Sequence, residues 1–282
     1  MNYDIQPIQL DASSVANYAR FLGEIFQKKS LFTNEYVDWL YNQNPDGKTI
    51  GFNAIAPDQQ LAAHYVAQPL QAMVDGQLVK GLLSYNTATH PNHGGKGLFT
   101  KLAQATYDHA ASLGYTFVVG VSNQNSTHGF IKKLGFQLVG PLDVKLGVGK
   151  INFALDQTYS YQRHWTNEAL QWRLNHPSKQ YFVKRYKKNY EVLIPAKPGL
   201  NVVLGNFDHS FTELEQRKSV FGMAKMWMGI DAKASWNRGV FVNLPDRLKP
   251  SPLNLIFKDL TSEKRQLDPT KIKFNVLDFD AF

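Results

Sequence analysis

The sequence predicts an α/β protein of the α+β kind: a mixed, mostly antiparallel, twisted sheet flanked by helices, followed by a second α/β domain. Three observations carry that expectation. Between residues 50 and 89 the apolar residues change from helical to strand-like spacing and form three runs separated by turn residues. Residues 98–139 then read helix, strand, helix, strand, which requires a parallel pair within the sheet. Past Gly147 a helix followed by strand-like runs starts again.

A chain of 282 residues is long enough for two domains of ordinary size, expected at 1–145 and 146–282. An apolar fraction of 43% and an aromatic fraction of 13% belong to a globular protein. The absence of Cys excludes disulfides, thiolate metal sites and a cysteine nucleophile. No signal-peptide layout opens the chain and no apolar run reaches the length of a membrane span, so the expected location is cytoplasmic, with no membrane partner. The formal charge of +8 falls in residues 146–282, while residues 1–145 are balanced. That asymmetry fits an anionic partner or a solubilising basic surface.

Tyr3 to Ile8 alternates as a first strand, and Asp11-Ala12-Ser13-Ser14 supplies N-cap side chains for a helix with Val15, Tyr18, Leu22, Ile25 and Phe26 on one face. Thr33-Asn34 caps a second helix with Val37, Leu40 and Tyr41 in a stripe, Trp39 packed inward, and Asn44-Pro45-Asp46-Gly47 as its stop. The meander follows as Gly51–Ala56, Leu61–Met73 and Leu78–Thr89, broken at Pro57-Asp58 and Asp75-Gly76. Its last strand delivers the chain to His90-Pro91-Asn92-His93-Gly94-Gly95-Lys96-Gly97 and then to a helix carrying Leu98, Leu102, Ala105, Ala110 and Leu113. A glycine-rich turn feeding a helix N-terminus can aim several N–H groups at one anion. It is not a Walker A loop, because Lys96 is followed by Gly97 where Ser or Thr would be needed. Tyr115–Val121 is nearly all apolar, the mark of a strand covered on both faces. Asn123-Gln124-Asn125-Ser126 then caps a short helix, which ends at Gly135 before a last strand, Phe136–Val139.

In two places these residues resemble the GNAT superfamily of N-acetyltransferases, which use acetyl-CoA. Gly94-Gly95-Lys96-Gly97-Leu98-Phe99 is similar to the family's Q/R-x-x-G-x-G/A turn, with Gly94 for the Gln/Arg and Phe99 for the last small residue. Asn123-Gln124-Asn125-Ser126, followed by Phe130-Ile131-Lys132-Lys133-Leu134-Gly135-Phe136, is similar to the family's N-x-N-S…F-x-K-K-L-G-F ending. The resemblance covers roughly residues 3–145 and implies a GNAT-like acyl-CoA-binding domain there. It implies that backbone N–H groups from Gly94 to Thr100 (Gly94, Gly95, Lys96, Gly97, Leu98, Phe99 and Thr100) hold the CoA pyrophosphate. It further implies that the acetyl thioester lies between splayed fourth and fifth strands, its carbonyl polarised by the backbone of Thr87, Ala88 or Thr89, with Asn123 and Ser126 beside the pantetheine arm and Phe130 as the family's aromatic position. Acetyl-CoA is then the cosubstrate, no metal is required, and the partner is a small amine-bearing acceptor rather than nucleic acid.

The family's general-acid Tyr is replaced by Ile131, and no Asp or Glu lies between Asp75 and Asp108. His90, Tyr85 and His64 are the titrating groups left near the strand gap, with His90 and Tyr85 as the catalytic candidates. In the second half, Gln171-Trp172-Arg173-Leu174-Asn175-His176-Pro177 echoes Asp38-Trp39-Leu40-Tyr41-Asn42-Gln43-Asn44-Pro45, each a Trp near the end of a helix closed by Asn and Pro. Strand-like runs follow at Tyr181–Arg185, Tyr190–Ile194, Leu200–Leu204, Met223–Ile230, Gly239–Asn243, Leu253–Phe257 and Lys273–Asp278, but no glycine turn. A degenerate GNAT-like repeat, with Trp165, Trp172, Arg173, Tyr181, Lys184, Arg185, Tyr186, Lys187 and Lys188 as a candidate acceptor surface, fits this pattern. Two other functions fit the same residues: a Fem-type transferase using aminoacyl-tRNA, which the basic second half suits, and a non-catalytic acyl-CoA sensor, which the missing Tyr and carboxylates suit. The acceptor, the oligomeric state and the pathway are not written in the sequence.

Overall fold

A computed structural model describes residues 2–154, 159–220, 222–245 and 252–279. Strand β1 (Asp4–Pro7) leads into helix α1 (Ala12–Ile25), capped by the Asp11 carboxylate, which accepts from the N–H groups of Ser13 and Ser14. Helix α2 (Asn34–Asn42) starts at Thr33, whose hydroxyl accepts from Tyr36 N–H at 3.1 Å. The meander is β2 (Ile50–Ile55), β3 (Leu61–Val74) and β4 (Gln77–Thr89), all antiparallel. Asp75 and Gly76, both at positive φ, make the two-residue hairpin between β3 and β4. Then come α3 (Leu98–Ser112), β5 (Phe117–Ser122), α4 (Gln124–His128) with a π turn over Gly129–Lys133, β6 (Gln137–Pro141) and β7 (Asp143–Gly149).

The second half contributes β8 (Tyr161–Arg163), α5 (Asn167–Leu174), β9 (Phe182–Arg185), β10 (Tyr190–Lys197), β11 (Leu200–Phe207), β12 (Ala224–Asp231), β13 (Gly239–Asn243), β14 (Asn254–Asp259) and β15 (Ile272–Asn275). All these strands join one sheet, whose main path runs β6-β14-β5-β4-β3-β8-β15-β12-β11-β10-β9. Strands β7 and β8 were not foreseen from the sequence. In β7, Gly147 lets the strands approach closely, because a Cβ there would sit 2.1 Å from the Val240 carbonyl oxygen of β13.

The two halves exchange strands. Strand β14 lies between β5 and β6, antiparallel to both, while β7 crosses into the second half to pair with β12 and β13. The expected strand after α4 therefore does not touch β5 directly, because a strand from far along the chain fills that place. Side chains alternate as the period of a strand requires: Val118 and Ile256 face the core under α3, and Phe117, Val119, Leu255 and Phe257 face the core shared with α5. At about 25 cal/mol per Å², burying these apolar faces on both sides is the main term holding β5 and β14 in the centre of the sheet.

Candidate active site

Strands β4 and β5 run parallel for only a short distance. Gly81 pairs with Phe117, and the register ends at Ser84 opposite Gly120, although both strands continue beyond it. The cause is visible on the other edge of β4. Tyr65 pairs with Thr87 and Ala67 with Ser84, so Tyr85 and Asn86 together oppose the single residue Val66. This is a β-bulge, which bends the strand and takes backbone groups out of the ladder. The wedge so opened leads into a cavity of about 400 Å³ lined by Ser84, Tyr85 and Asn86 of β4 and Val121 of β5. Its outer wall comes from Lys28, Tyr36, Lys179 and Phe279, which lie far apart in the chain.

At the C-terminal ends of the same two strands stand the two turns. After a short 3-10 turn at Pro91–His93, Gly95 and Gly97 both take φ of +71°, the left-handed region open to glycine, and Gly97 is the N-cap of α3. A Cβ at either would meet no atom within 4 Å, so the glycines are set by backbone conformation, with open space above them. Lys101 N–H bonds back to Gly97 O at 3.1 Å. The N–H groups of Leu98, Phe99 and Thr100, in the first turn of α3, have no carbonyl one turn earlier and point out of the helix end. Donors so arranged on the positive end of a 15-residue helix are able to hold an anion.

The second turn is capped as its sequence suggests. Asn123 Oδ1 accepts from Asn125 N–H at 3.0 Å and Ser126 N–H at 3.1 Å, and Ser126 Oγ accepts from Asn123 N–H at 3.1 Å. The two turns are joined by aromatic packing: Phe99 meets Phe130 edge to face at 5.1 Å, and Phe130 meets Phe136 at 5.1 Å. Phe99, the large residue in place of the usual small one, fits because position 129 is glycine, where an added Cβ would come 3.1 Å from its ring.

Tyr85 lines the cavity, and its hydroxyl lies 3.3 Å from that of Tyr36. His90 stands elsewhere, in an open depression with Arg20, Glu24 and Gln60, and its ring accepts from Asn92 N–H at 3.3 Å. His64 is wholly buried. Its Nε2 bonds to the Tyr41 hydroxyl at 2.9 Å and its Nδ1 to Asn53 Oδ1 at 2.7 Å, and burial pulls its pKa down to about 3, which keeps it neutral. Asn86 Nδ2 donates to the same Tyr41 hydroxyl at 3.1 Å, and Asn53 Nδ2 donates to the Tyr18 hydroxyl at 3.1 Å. This buried chain, Asn86 to Tyr41 to His64 to Asn53 to Tyr18, anchors the bulge from behind. His64 is thus a support rather than a base. Sequence reasoning missed Ser84, Asn86, Tyr36, Lys28 and Lys179, and no local pattern marks them. Of the candidate acceptor surface, Trp172, Arg173 and Tyr181 are buried in the core, whereas Arg185, Lys187 and Lys188 are exposed.

Residues 6–139 match the acetyltransferase (GNAT) domain family. A crystal structure of a conserved protein from Enterococcus faecalis V583, described as a probable N-acyltransferase, superposes with a TM-score of 0.63 at 11% identity over 92% of this chain and 73% of that one. A GCN5-related N-acetyltransferase from Anabaena variabilis ATCC 29413 gives 0.60 at 13% identity over 92% and 73%. N-myristoyltransferase of Saccharomyces cerevisiae, with bound myristoyl-CoA, gives 0.57 at 9% identity over 95% and 80%. No curated protein sequence matches the chain. The likeness to these structures extends through the second half and is one of fold. Residues 6–139 are thus matched as an acetyltransferase domain of the GNAT family. Among the described residues, no helix is long and apolar enough to cross a membrane, and no group of three or more His, Asp or Glu side chains gathers as a metal site.

Proposed function

We propose that the protein is an N-acyltransferase that moves an acetyl group from acetyl-CoA to a primary amine of a small acceptor by direct attack. The observation that carries this reading is the parting of β4 and β5 at a bulge, with a cavity against Ser84, Tyr85 and Asn86 and a left-handed glycine turn leading from the end of β4 into α3. The N–H groups from Gly94 to Thr100 hold the pyrophosphate, Lys96 adds a charge from its exposed position, and the pantetheine arm runs down the wedge past Asn123, Ser126 and Phe130. Backbone N–H groups at and just after the bulge, toward Thr87, Ala88 and Thr89, meet the thioester oxygen as negative charge develops on it.

The acceptor amine enters from the cavity side. Attack forms the C–N bond and breaks the C–S bond. The amine loses a proton, and the sulfur departs as a thiolate stable enough to leave with little help. The Tyr36–Tyr85 hydroxyl pair is the proton-carrying group nearest the wedge. Lys28 and Lys179 make the outer wall cationic, which favours an acceptor with an anionic or strongly polar group. Part of the same reading is the division into an acyl-CoA-binding domain, 1–145, and a C-terminal domain, 146–282, that shapes the acceptor side while exchanging β7 for β14. A cytoplasmic reaction belongs to the same reading. Calorimetry with acetyl-CoA tests it: wild type binds, Gly97→Asp does not, and a panel of primary amines releases free CoA thiol from the wild type. A protein that binds no acetyl-CoA overturns the reading, and binding without thiol release for any amine makes it a sensor.

A further inference from the structure

The second half repeats the device that opens the first. Strands β11 and β12 run parallel from Leu200 opposite Ala224 to Val203 opposite Trp227 and then part. As in β4, a bulge marks the place: Val192 pairs with Gly205 and Leu193 with Val203, which leaves Leu204 as the extra residue on β11. Trp227 pairs with β7 on its other edge, and so does Gly229, which also pairs with Asn275 of β15. Strand β15 therefore takes up the edge of β12 that β11 has left. Between β11 and β15 lies a second cavity of about 350 Å³, near the lower end of the range for small-ligand pockets.

Part of its polar lining is unsatisfied. Asn206 is 5% exposed and lines the cavity, and neither its Oδ1 nor its Nδ2 has a hydrogen-bond partner among the described residues. Lys273 is 7% exposed, lines the same cavity and makes no hydrogen bond or ion pair at bonding distance among the described residues. By contrast, Lys225, also buried, sits 2.6 Å from Glu191. Asp278 is already committed, accepting from Trp165 Nε1 at 3.1 Å and from Asn275 N–H at 2.7 Å. Arg163 stacks on Trp165 at 3.8 Å and pairs with Asp46 at 3.4 Å. An unpaired buried amide is costly, so such a group in a cavity marks a place for a partner. Trp165, Phe207 and Phe211 give the cavity an aromatic face, Gln162, His164 and Ser210 add polar groups to the lining, and Asp208 contributes an exposed carboxylate.

We propose that this cavity is a second ligand site, which takes a free amino acid with an apolar side chain. The α-carboxylate meets the Lys273 ammonium and the Asn206 Nδ2 group, the α-ammonium meets Asn206 Oδ1 and Asp208, and the side chain lies on Trp165 and Phe207. Only a zwitterion uses both atoms of the amide together with charges of both signs. The site is independent of the acyl-CoA reading, since it shares no lining residue with the first cavity.

Calorimetric titration of the full chain with L-phenylalanine and L-leucine, beside phenethylamine and 3-phenylpropionate, tests the assignment. The amino acids saturate, and removing the carboxylate weakens binding about tenfold or more. Asn206→Leu, which keeps the volume and removes the amide, weakens amino-acid binding by a similar factor and leaves the unfolding temperature and acetyl-CoA binding in place. Asp208→Asn weakens the amino acids and spares 3-phenylpropionate, a readout that does not depend on a buried substitution. If no standard amino acid saturates the wild type, the cavity holds water and the proposal fails. It fails equally if binding survives Asn206→Leu, or is lost in Tyr85→Phe instead.

Discussion

Trp39 and Trp172 stack face to face, 4.6 Å apart and 18° from parallel, and each donates its indole N–H to the other's backbone carbonyl, at 3.3 and 3.2 Å. The contact joins α2 of the first half to α5 of the second, the two helices whose Trp, Asn and Pro residues echo one another in the sequence. The pair also places Arg173, buried and 4.7 Å from the Trp172 ring, within reach of Gln68 on β3, which ties the second half to the strand beside the active-site bulge.

Replacing one member of the pair should therefore damage the junction rather than one helix. Trp172→Ala is expected to cost about 3–5 kcal/mol in chemical denaturation. Trp172→Phe should cost less, because the ring is retained while the Trp39 carbonyl loses its donor. The double substitution Trp39→Ala/Trp172→Ala should cost clearly less than the sum of the singles, since both remove the same contact. Strict additivity would show that the stack carries no coupling between the halves.

The Tyr36–Tyr85 contact makes a kinetic prediction. Tyr85→Phe leaves the ring in the cavity wall and removes the hydroxyl that faces Tyr36. The rate constant for the chemical step should fall about 10²-fold, the lower end of what positioned proton transfer supplies, with acetyl-CoA affinity unchanged. Tyr36→Phe should give a smaller effect of the same kind. An unchanged kcat in both would remove the pair from the reaction.

Much of this was legible in the chain, and the reasons for the rest are specific. The caps Asp11, Thr33 and Asn123, the Asp75-Gly76 hairpin and the left-handed Gly97 are local features, decided by residues within a turn of one another. The glycine turn ahead of α3 was readable for the same reason. The bulge at Tyr85-Asn86 was not, because it is a mismatch of register against Val66 on another strand and has no signature within β4 itself. Nor could the insertion of β14 be read, since Leu255–Phe257 is an apolar run that would suit any central strand. The cavity wall of Lys28, Tyr36, Lys179 and Phe279 comes from segments far apart in the chain and has no local pattern at all. Sequence position also set His64 beside His90 as a titrating group near the strand gap, whereas the structure buries His64 and leaves His90 in an open depression.

His64 gives stability a pH dependence of definite sign. Its folded pKa is about 3, below the ordinary value of 6.5, because a buried imidazolium would lose its hydration. The unfolded chain therefore takes up the proton first. The stabilisation is complete above pH 6.5 and is lost as the pH falls toward 3, over a range worth roughly 4–5 kcal/mol at about 1.4 kcal/mol per unit. Denaturation at pH 7, 6, 5 and 4 should show this slope begin near 6.5, above the range in which carboxylates contribute. His64→Gln should lose the slope between pH 6.5 and 5. A slope that persists in that variant would assign the titration to another group.

The buried pair Lys225–Glu191 makes the sharpest distinction between removing an interaction and removing half of one. Lys225 Nζ lies 2.6 Å from Glu191 Oε2 and 2.7 Å from the Tyr186 hydroxyl, with Glu191 fully buried and Lys225 2% exposed. Burial lowers the Lys225 pKa while Glu191 opposes the shift, so the ammonium depends on that one carboxylate. Lys225→Met should destabilise the protein by about 3–5 kcal/mol, because Glu191 is left charged and unpaired in the core. Adding Glu191→Leu removes that charge as well and leaves Tyr186, at the partly exposed edge, to turn toward solvent. The double variant should therefore recover most of the loss, and chemical denaturation of the two variants side by side measures it. A double variant no more stable than Lys225→Met would mean that the pair, rather than the stranded charge, is what the second half needs.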